Sequence, residues 1–460
     1  MKITVLNGSP KGDLSVTLQY VRYLTKKNPE IEFKVFNIAQ MIRRIERDQA
    51  AFSEIIDHVR SSDGVLWSFP LYILLVHGSY KRFIELLFER KTGDAFKDKY
   101  AATISTSIHY FDHTAHNYVH AICDDLGMRF VGSFSPRMDD LRDRQAQTQL
   151  IHFGDRFFEA IHRQQATQRL YPPVEPHTFD YQPGPAAKKI QLAGKKMTVL
   201  YDSDAPNQNL SQMVQRITSS VDGPVEVMDI QKLDIHGGCL GCLKCGGKNR
   251  CAYEEKDGFT DFYRQSVMKA DILVFAGAIK DRYLSARWKT VFDRAFFNTH
   301  TPALTGKQLA FVVSGPYSQI ANLDEVLKGW AEFQLANLAA VISDEVQSSS
   351  HLDTIIDQTV NLLVESAVKE VSKPLTFLGF GGAKVFRDDI WGGLRFVFYA
   401  DHLAYQRIKL YDTFPQADWK FRLFNIFIVP LLQIGVVRKV FDKQVKVRMV
   451  EPLQQIVEKA

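Results

Sequence analysis

The sequence predicts an α/β fold built twice: two doubly wound five-stranded parallel sheets in tandem, plus a mainly helical C-terminal tail. Three observations predict it. The opening "MKITVLNGSP" returns as "KKMTVLYDSD" at Lys195–Asp204, an offset of 194 that also pairs Ser15, Val16 and Thr17 with Asn209, Leu210 and Ser211. "GVLWSFPLYILLVHGSYKRFIE" (Gly64–Glu85) resembles "DILVFAGAIKDRYLSARWKTVFD" (Asp271–Asp293), with Lys81 matched to Lys289 at an offset of 208. Each half also alternates short apolar runs with helical stretches, as parallel strands covered on both faces require.

In the first half the strands are expected at Ile3–Leu6, Glu32–Phe36, Gly64–Ser68, Tyr100–Ser105 and Phe130–Phe134. In the second they are expected at Met197–Tyr201, Val225–Asp229, Ile272–Ala276, Gln308–Ser314 and Leu338–Ser343. "RLYPPVEPHTFDYQPGPAAKK" holds five of the chain's 17 prolines and reads as an extended linker between them. The expected organisation is therefore residues 1–165, a linker over 166–194, a second domain over 195–373 and a tail over 374–460. The tail carries 13 Lys+Arg against 8 Asp+Glu, which accounts for the whole net charge of +5. Its uncharged run Leu423–Val437, flanked by Arg422, Arg438 and Lys439, is short for a membrane span. It suits helices packing across the domains or forming an oligomer contact, and peripheral attachment to anionic lipid is the alternative.

The 460 residues, 45% hydrophobic and 24% charged, have the composition of a soluble globular protein. The first apolar run, "ITVL", gives way at once to "NGSPKG", so no N-terminal signal is expected. A charge excess confined to the tail, with no basic stripe on a folded domain, argues against nucleic acid as a partner. Four of the five cysteines are clustered, which suits a reducing cytoplasm better than a secreted disulfide framework.

"NGSPKGDLSVT" follows the first strand and opens a helix near Ser15, where backbone N–H groups and the helix dipole make an anion site. "SFPLY" (Ser68–Tyr72) and "STSIHY" (Ser105–Tyr110) end the third and fourth strands, beside the switch point where open sheets bind ligands. Together these segments resemble the flavodoxin-like NAD(P)H-dependent FMN reductase family, with its "GSP(R/K)…S-x-T" loop and "P-x-Y" segment. The resemblance implies bound FMN and an oxidoreductase. It implies that Ser9, Lys11, Ser15, Val16 and Thr17 hold the phosphate, and that Pro70, Leu71 and Tyr72 flank the ring. Ser105, Thr106, Ser107 and His109 would lie on the ring's other side. His113, His116 and His120 share one face of the following helix but have no clear carboxylate partner, so they read as packing groups.

The second half carries "CLGCLKCGGKNRC". The spacing C-x2-C-x2-C-x5-C gives Cys239, Cys242, Cys245 and Cys251. A C-x2-C-x2-C run favours a [4Fe–4S] cube, because each thiolate can meet a different iron. Structural zinc, which usually takes two separated knuckles, and a redox disulfide stay open. The motif resembles the iron–sulfur flavoprotein family, in which each subunit's cluster lies close to the FMN of a neighbouring subunit. Cys123 matches nothing there and reads as a buried apolar residue.

The halves have lost complementary parts. By the first offset Gly8, Pro10 and Lys11 become Asp202, Asp204 and Ala205, a poor cradle for an anion. By the second, Pro70 and Tyr72 become Ala278 and Lys280. One FMN in the first half and one cluster in the second, arranged for electron transfer, is the expectation. The rival expectations are an NAD(P)H-dependent FMN or quinone reductase with structural zinc, and an electron carrier working with ferredoxin. NAD(P)H and ferredoxin both stay open as donors, a small molecule or a protein as acceptor, and a homo-oligomer as the assembly.

Overall fold

The computed structural model describes residues 1–176, 178–186, 189–413, 419–441, 444, 451 and 454, without the side chains of 421 and 422. Residues 1–402 form one compact unit and 403–460 another. The expected tail over 374–460 thus falls partly in each, and part of it lies outside the described residues.

All ten expected strands are present within two residues of their predicted ends. β1 (Lys2–Asn7), β2 (Glu32–Phe36), β3 (Gly64–Pro70), β4 (Tyr100–Thr106) and β5 (Arg129–Phe134) form one parallel sheet in the order 2-1-3-4-5. β6 (Met197–Tyr201), β7 (Val225–Asp229), β8 (Ile272–Ala278), β9 (Gln308–Ser314) and β10 (Asn337–Ser343) repeat it as 7-6-8-9-10. Both are the flavodoxin-like doubly wound order. The central strands β3, β4 and β9 are almost wholly buried, as expected where helices cover both faces. Register sets the site: Asn7 pairs Ser68 and Pro70 pairs Thr106, so the loops after β1, β3 and β4 emerge side by side.

Five helices position the rest of the site. α1 (Val16–Lys27) follows the first loop, α2 (Gly78–Glu89) follows β3, and α3 (Asp112–Asp125) follows β4. In the second half α4 (Asn209–Ser219) corresponds to α1 and α5 (Ala286–Ala295) to α2. His77 caps α2 by accepting from Ser79 N, and Ser285, its equivalent at the 208 offset, caps α5 by accepting from Trp288 N.

α2 and α5 pack against each other about a local pseudo-twofold axis. Gly78 N donates to Asp293 Oδ2 at 2.7 Å, and the equivalent Ala286 N donates to Glu85 Oε1 at 2.7 Å. Lys81 Nζ donates to Glu85 at 2.9 Å on its own helix and to Asp281 at 2.8 Å across the axis. Lys289 Nζ donates to Asp293 on its own helix and to Tyr72 O across the axis at 2.9 Å. Both lysines are fully buried. Burial opposes the charge of Lys81, but Asp281 and Glu85 outweigh it and raise its pKa. At Lys289 burial prevails over Asp293 and the pKa falls. Around these pairs a single apolar core runs through both halves, with Tyr80, Phe83 and Leu87 facing it from α2 and Trp288, Val291 and Phe292 from α5.

The Pro-rich segment is not a free tether. Tyr181 is fully buried, its N–H donates to Asn209 Oδ1 at 2.9 Å, and Asn209 Nδ2 donates to Phe179 O at 2.7 Å. At the start of the expected tail, α7 (Phe377–Trp391) packs on α6 (Ala321–Phe333) of the second half, while Tyr110 of the first half donates to Leu378 O at 2.6 Å. In the unit 403–460, the helix Trp419–Leu432 contains Pro430 and leaves Ile426, Phe427 and Val429 exposed. Among the described residues no single helix is long and apolar enough to cross a membrane; Leu423–Leu432 and Gly435–Phe441 meet at a 110° bend.

Lys81→Met leaves Asp281 buried without its counter-charge, Glu85 still being paired with Arg82 at 3.1 Å, and is expected to cost about 3–5 kcal/mol of stability. Adding Asp281→Asn should recover much of the loss in urea unfolding. An unchanged midpoint for Lys81→Met would show that the buried pair does not hold the halves.

Candidate functional site

The loop after β1 is shaped by its own polar groups. Gly8 N donates to Ser68 O at 2.7 Å, Asn7 Nδ2 donates to Gly12 O at 3.2 Å and to Asn37 Oδ1 at 2.8 Å, and Lys11 N donates to Ser9 Oγ at 3.2 Å. Gly8 needs its missing side chain, because a Cβ there would stand 2.7 Å from the Tyr80 ring. Ser15 caps α1 by accepting from Leu18 N at 3.3 Å, which leaves the N–H groups of Val16 and Thr17 without intrahelical partners. A dipole end, the Val16 N–H and Lys11 at one mouth suit a phosphate.

Nine of the twelve expected flavin residues line one cavity of about 330 Å³: Ser9, Lys11, Ser15 and Val16, then Pro70, Leu71 and Tyr72, then Thr106 and Ser107. Three do not line it. Thr17 is buried and its Oγ1 meets Thr106 Oγ1 at 2.6 Å, bracing the loop from below. Ser105 is buried on His116 Nε2 at 2.8 Å. His109 has a left-handed backbone (φ 67°) and its Nδ1 meets Asp112 Oδ2 at 3.0 Å, so its neighbours Ile108 and Tyr110 line the cavity instead. Of the other helix histidines, His113 meets Glu325 at 2.9 Å and His120 stacks on Phe130 with centroids 3.7 Å apart. Cys123 is fully buried in α3.

Sequence reasoning missed the opposite wall. Phe292, Phe296, Trp330 and Phe333 of the second half and Phe386 and Phe398 beyond it close the cavity with apolar surface. His300 is a polar group in that wall, its Nδ1 held by buried Asp401 at 2.9 Å. Single aromatic residues far apart in sequence carry no signal of convergence; the complementary losses of the two halves hinted that they meet.

The cysteine loop closes the remaining side. Gly241 and Leu243 line the larger cavity, and both also line a second, small cavity of about 30 Å³ with Cys239, Cys242, Cys245 and Cys251. Gly241 has φ +60°, and a Cβ on it would lie 2.2 Å from Tyr72 Oη and 3.0 Å from Lys11 Cε. His77 Nδ1 accepts from Ser79 N, so Nε2 carries the proton and donates to Cys239 O at 2.8 Å. Burial pushes the Cys239 and Cys245 thiols up to about 12, so ligation would have to displace their protons. The five cysteines are free thiols, and no group of three or more His, Cys, Asp or Glu side chains among the described residues is gathered for a single metal ion. Arg294 also borders the thiol cavity. Its Nη atoms grip Asp257 at 2.7 and 2.9 Å, while its Nε is buried without an acceptor among the described residues.

The corresponding place in the second half is filled by the protein itself. Asp202 accepts from Gln231 Nε2 at 2.7 Å, from Asp204 N at 3.0 Å and from Ser285 Oγ. Asn209, the equivalent of Ser15, is taken up by Phe179, Tyr181 and Asp344.

The family described as NADPH-dependent FMN reductase matches residues 1–137 and, separately, 196–351, together more than half of the chain. Among solved structures, a flavoenzyme NAD(P)H:(acceptor) oxidoreductase from Paracoccus denitrificans is 19% identical, covering 34% of this chain and 97% of its own, with a TM-score of 0.28. General stress protein 14 from Treponema denticola, in complex with FMN, is 12% identical over 36% and 99%, with a TM-score of 0.27. An FMN-dependent NADH-azoreductase from Bacillus anthracis, in complex with FMN, is 15% identical over 35% and 98%, with a TM-score of 0.25. No curated protein sequence matches the chain.

His116, under β4, gives the site a pH signature. Burial lowers its pKa from 6.5 to about 4, and it sits between Thr103 Oγ1 at 2.7 Å and Ser105 Oγ at 2.8 Å. The folded state keeps it neutral while the unfolded chain takes up the proton. Its contribution is therefore complete above about pH 6.5, falls by up to about 1.4 kcal/mol per unit toward pH 4, and is level below. His116→Asn should flatten that part of the stability profile relative to the parent protein; parallel profiles would refute the assignment.

Proposed function

The chain belongs to the NADPH-dependent FMN reductase family, and from that premise we propose that it is a flavin oxidoreductase whose FMN, held by the first half, exchanges electrons with a [4Fe–4S] cluster held by the second. One observation carries the reading: Gly241 and Leu243, which stand between the cysteines, are at once wall of the thiol cavity and wall of the flavin cavity. Bound FMN supplies a two-electron acceptor for hydride that can also give up single electrons, and the cluster a one-electron relay. Everything else is done by the chain's own residues.

Ser9, Ser15, Val16 and Lys11 hold the phosphate, Lys11 by charge and the others by directed donors. Pro70, Leu71 and Tyr72 lie along one side of the ring, with Thr106 and Ser107 beside them. Thr17 and Ser105 act one layer down, by holding Thr106 and the end of β4 in place. Tyr72, pressed against Gly241, would stand between the ring and the cysteine loop. The apolar far wall excludes water from the space over the ring. Cys239, Cys242, Cys245 and Cys251 ligate the cluster. The C-x2-C-x2-C run, whose closely spaced thiolates can each meet a different iron, favours a cube over a single tetrahedral zinc.

NAD(P)H is the donor we assign from the family, with ferredoxin as the other candidate and a small molecule or protein as acceptor. A cluster of four cysteines with no disulfide framework suits a reducing cytoplasm. We assign one FMN per chain, because Asp202, Asp204 and the Phe179–Tyr181 segment occupy the second cradle.

Anaerobically reconstituted protein should contain one FMN and about four irons per chain; two FMN, or zinc in place of iron, would overturn the assignment. Lys11→Glu should weaken FMN binding by at least about tenfold, or 1.4 kcal/mol, and leave the cluster absorbance intact. Loss of both cofactors together would point to misfolding. Gly241→Ala should impair FMN binding through its contact with Tyr72, whereas Gly247→Ala, with open space around it, should not. Equal behaviour of the two variants in a flavin-fluorescence titration would refute the shared wall.

A further inference from the structure

Arg294, on α5, is pinned more tightly than a structural ion pair needs. Its side chain and that of Asp257 are both fully buried. Nη1 donates to Asp257 Oδ2 at 2.7 Å and to Gly237 O at 2.9 Å, and Nη2 donates to Asp257 Oδ1 at 2.9 Å. The guanidinium lies over the rings of Tyr253 at 4.3 Å and Phe259 at 4.9 Å. These contacts fix its plane. The Nε–H is buried and has no acceptor among the described residues, although the side chain borders the cavity lined by the four thiols.

A buried N–H with no acceptor costs about 1–3 kcal/mol. Rotating the guanidinium to satisfy it would break the fork on Asp257, so the fold holds Nε where it is. An acceptor supplied by the cavity removes the penalty, and sulfur is the chemistry the cavity offers.

We propose that Arg294 is a positioning residue of the redox centre, its Nε–H donating to a sulfur at this cavity and raising the reduction potential of the cluster. This rests on the [4Fe–4S] assignment above. One-electron reduction, by dithionite in the experiment below, adds one negative charge and forms or breaks no bond. A fixed N–H donor therefore stabilises the reduced state more than the oxidised one. Asp257 balances the charge of Arg294, so the sulfur is presented with a directed donor rather than a full positive charge. Arg294→Lys separates the two, since it keeps a cation for Asp257 and removes the planar Nε–H.

The test uses the whole holoprotein, reconstituted without oxygen, labelled with 15Nε-arginine and reduced by dithionite. Electron–nuclear double resonance of the reduced cluster should show a 15N coupling, a readout that needs no variant. In Arg294→Lys the coupling should vanish. At the parent protein's midpoint potential the reduced-to-oxidised ratio should fall about tenfold, equal to a shift of about 59 mV for one electron. Four irons bound with no 15N coupling would overturn the role of Arg294 alone. A parent protein that binds no iron would overturn the cluster assignment and this inference with it.

Discussion

The structure depends on two buried lysines crossed between two helices. Lys81 reaches from α2 to Asp281, Lys289 from α5 to the carbonyl of Tyr72, and each helix gives its first N–H to a carboxylate on the other. Apolar packing alone would let two amphipathic helices slide by a turn at little cost. Buried charges do not tolerate such a slip, because each displaced partner is left without water or counter-ion. The pairs act less as glue than as a register stop.

That stop determines the site. The residue before α2 is His77, which holds the Cys239 carbonyl, and the segment before it carries Tyr72, against which Gly241 is packed. A shift of the helices by one turn, about 5 Å, would carry the cysteine loop away from the larger cavity. The same arrangement brings Phe292 and Phe296, at the end of α5, over the first half's strand ends. Neither half forms this cavity alone. The carboxyl ends of β1, β3 and β4 form an open platform, and the second half supplies the wall that keeps it dry.

The fold was legible in the sequence because strand periodicity is local and because the repeat displays it twice; β2, β6, β7 and β9 fall at their expected bounds. The cysteine loop and the Ser9–Thr17 loop were legible for the same reason, since their chemistry is concentrated within a few residues. What failed to read was orientation. His109 follows a strand end, as a ring-binding residue should, but Asp112 draws its side chain away through a left-handed backbone. Thr17 and Ser105 belong to the right loops and face inward, a distinction set by register across β4 rather than by residue type. The aromatic wall and Arg294 were invisible because their meaning comes from Asp257, Tyr253 and partners a hundred or more residues distant.

The Phe179–Tyr181 segment has a consequence for how such a chain can change. In a symmetric dimer every substitution appears on both sides, so neither site can be altered without altering the other. Joining the copies releases that constraint, and here the released copy has been closed twice, by carboxylates at Asp202 and Asp204 and by a buried Tyr181 anchored on Asn209. Restoring a phosphate loop would first require Tyr181 to leave a core it helps to fill, and removing Tyr181 would open a cradle that still repels phosphate. Neither step alone restores anything. The joining segment thus works as a ratchet, making the difference between the two loops far easier to enter than to leave.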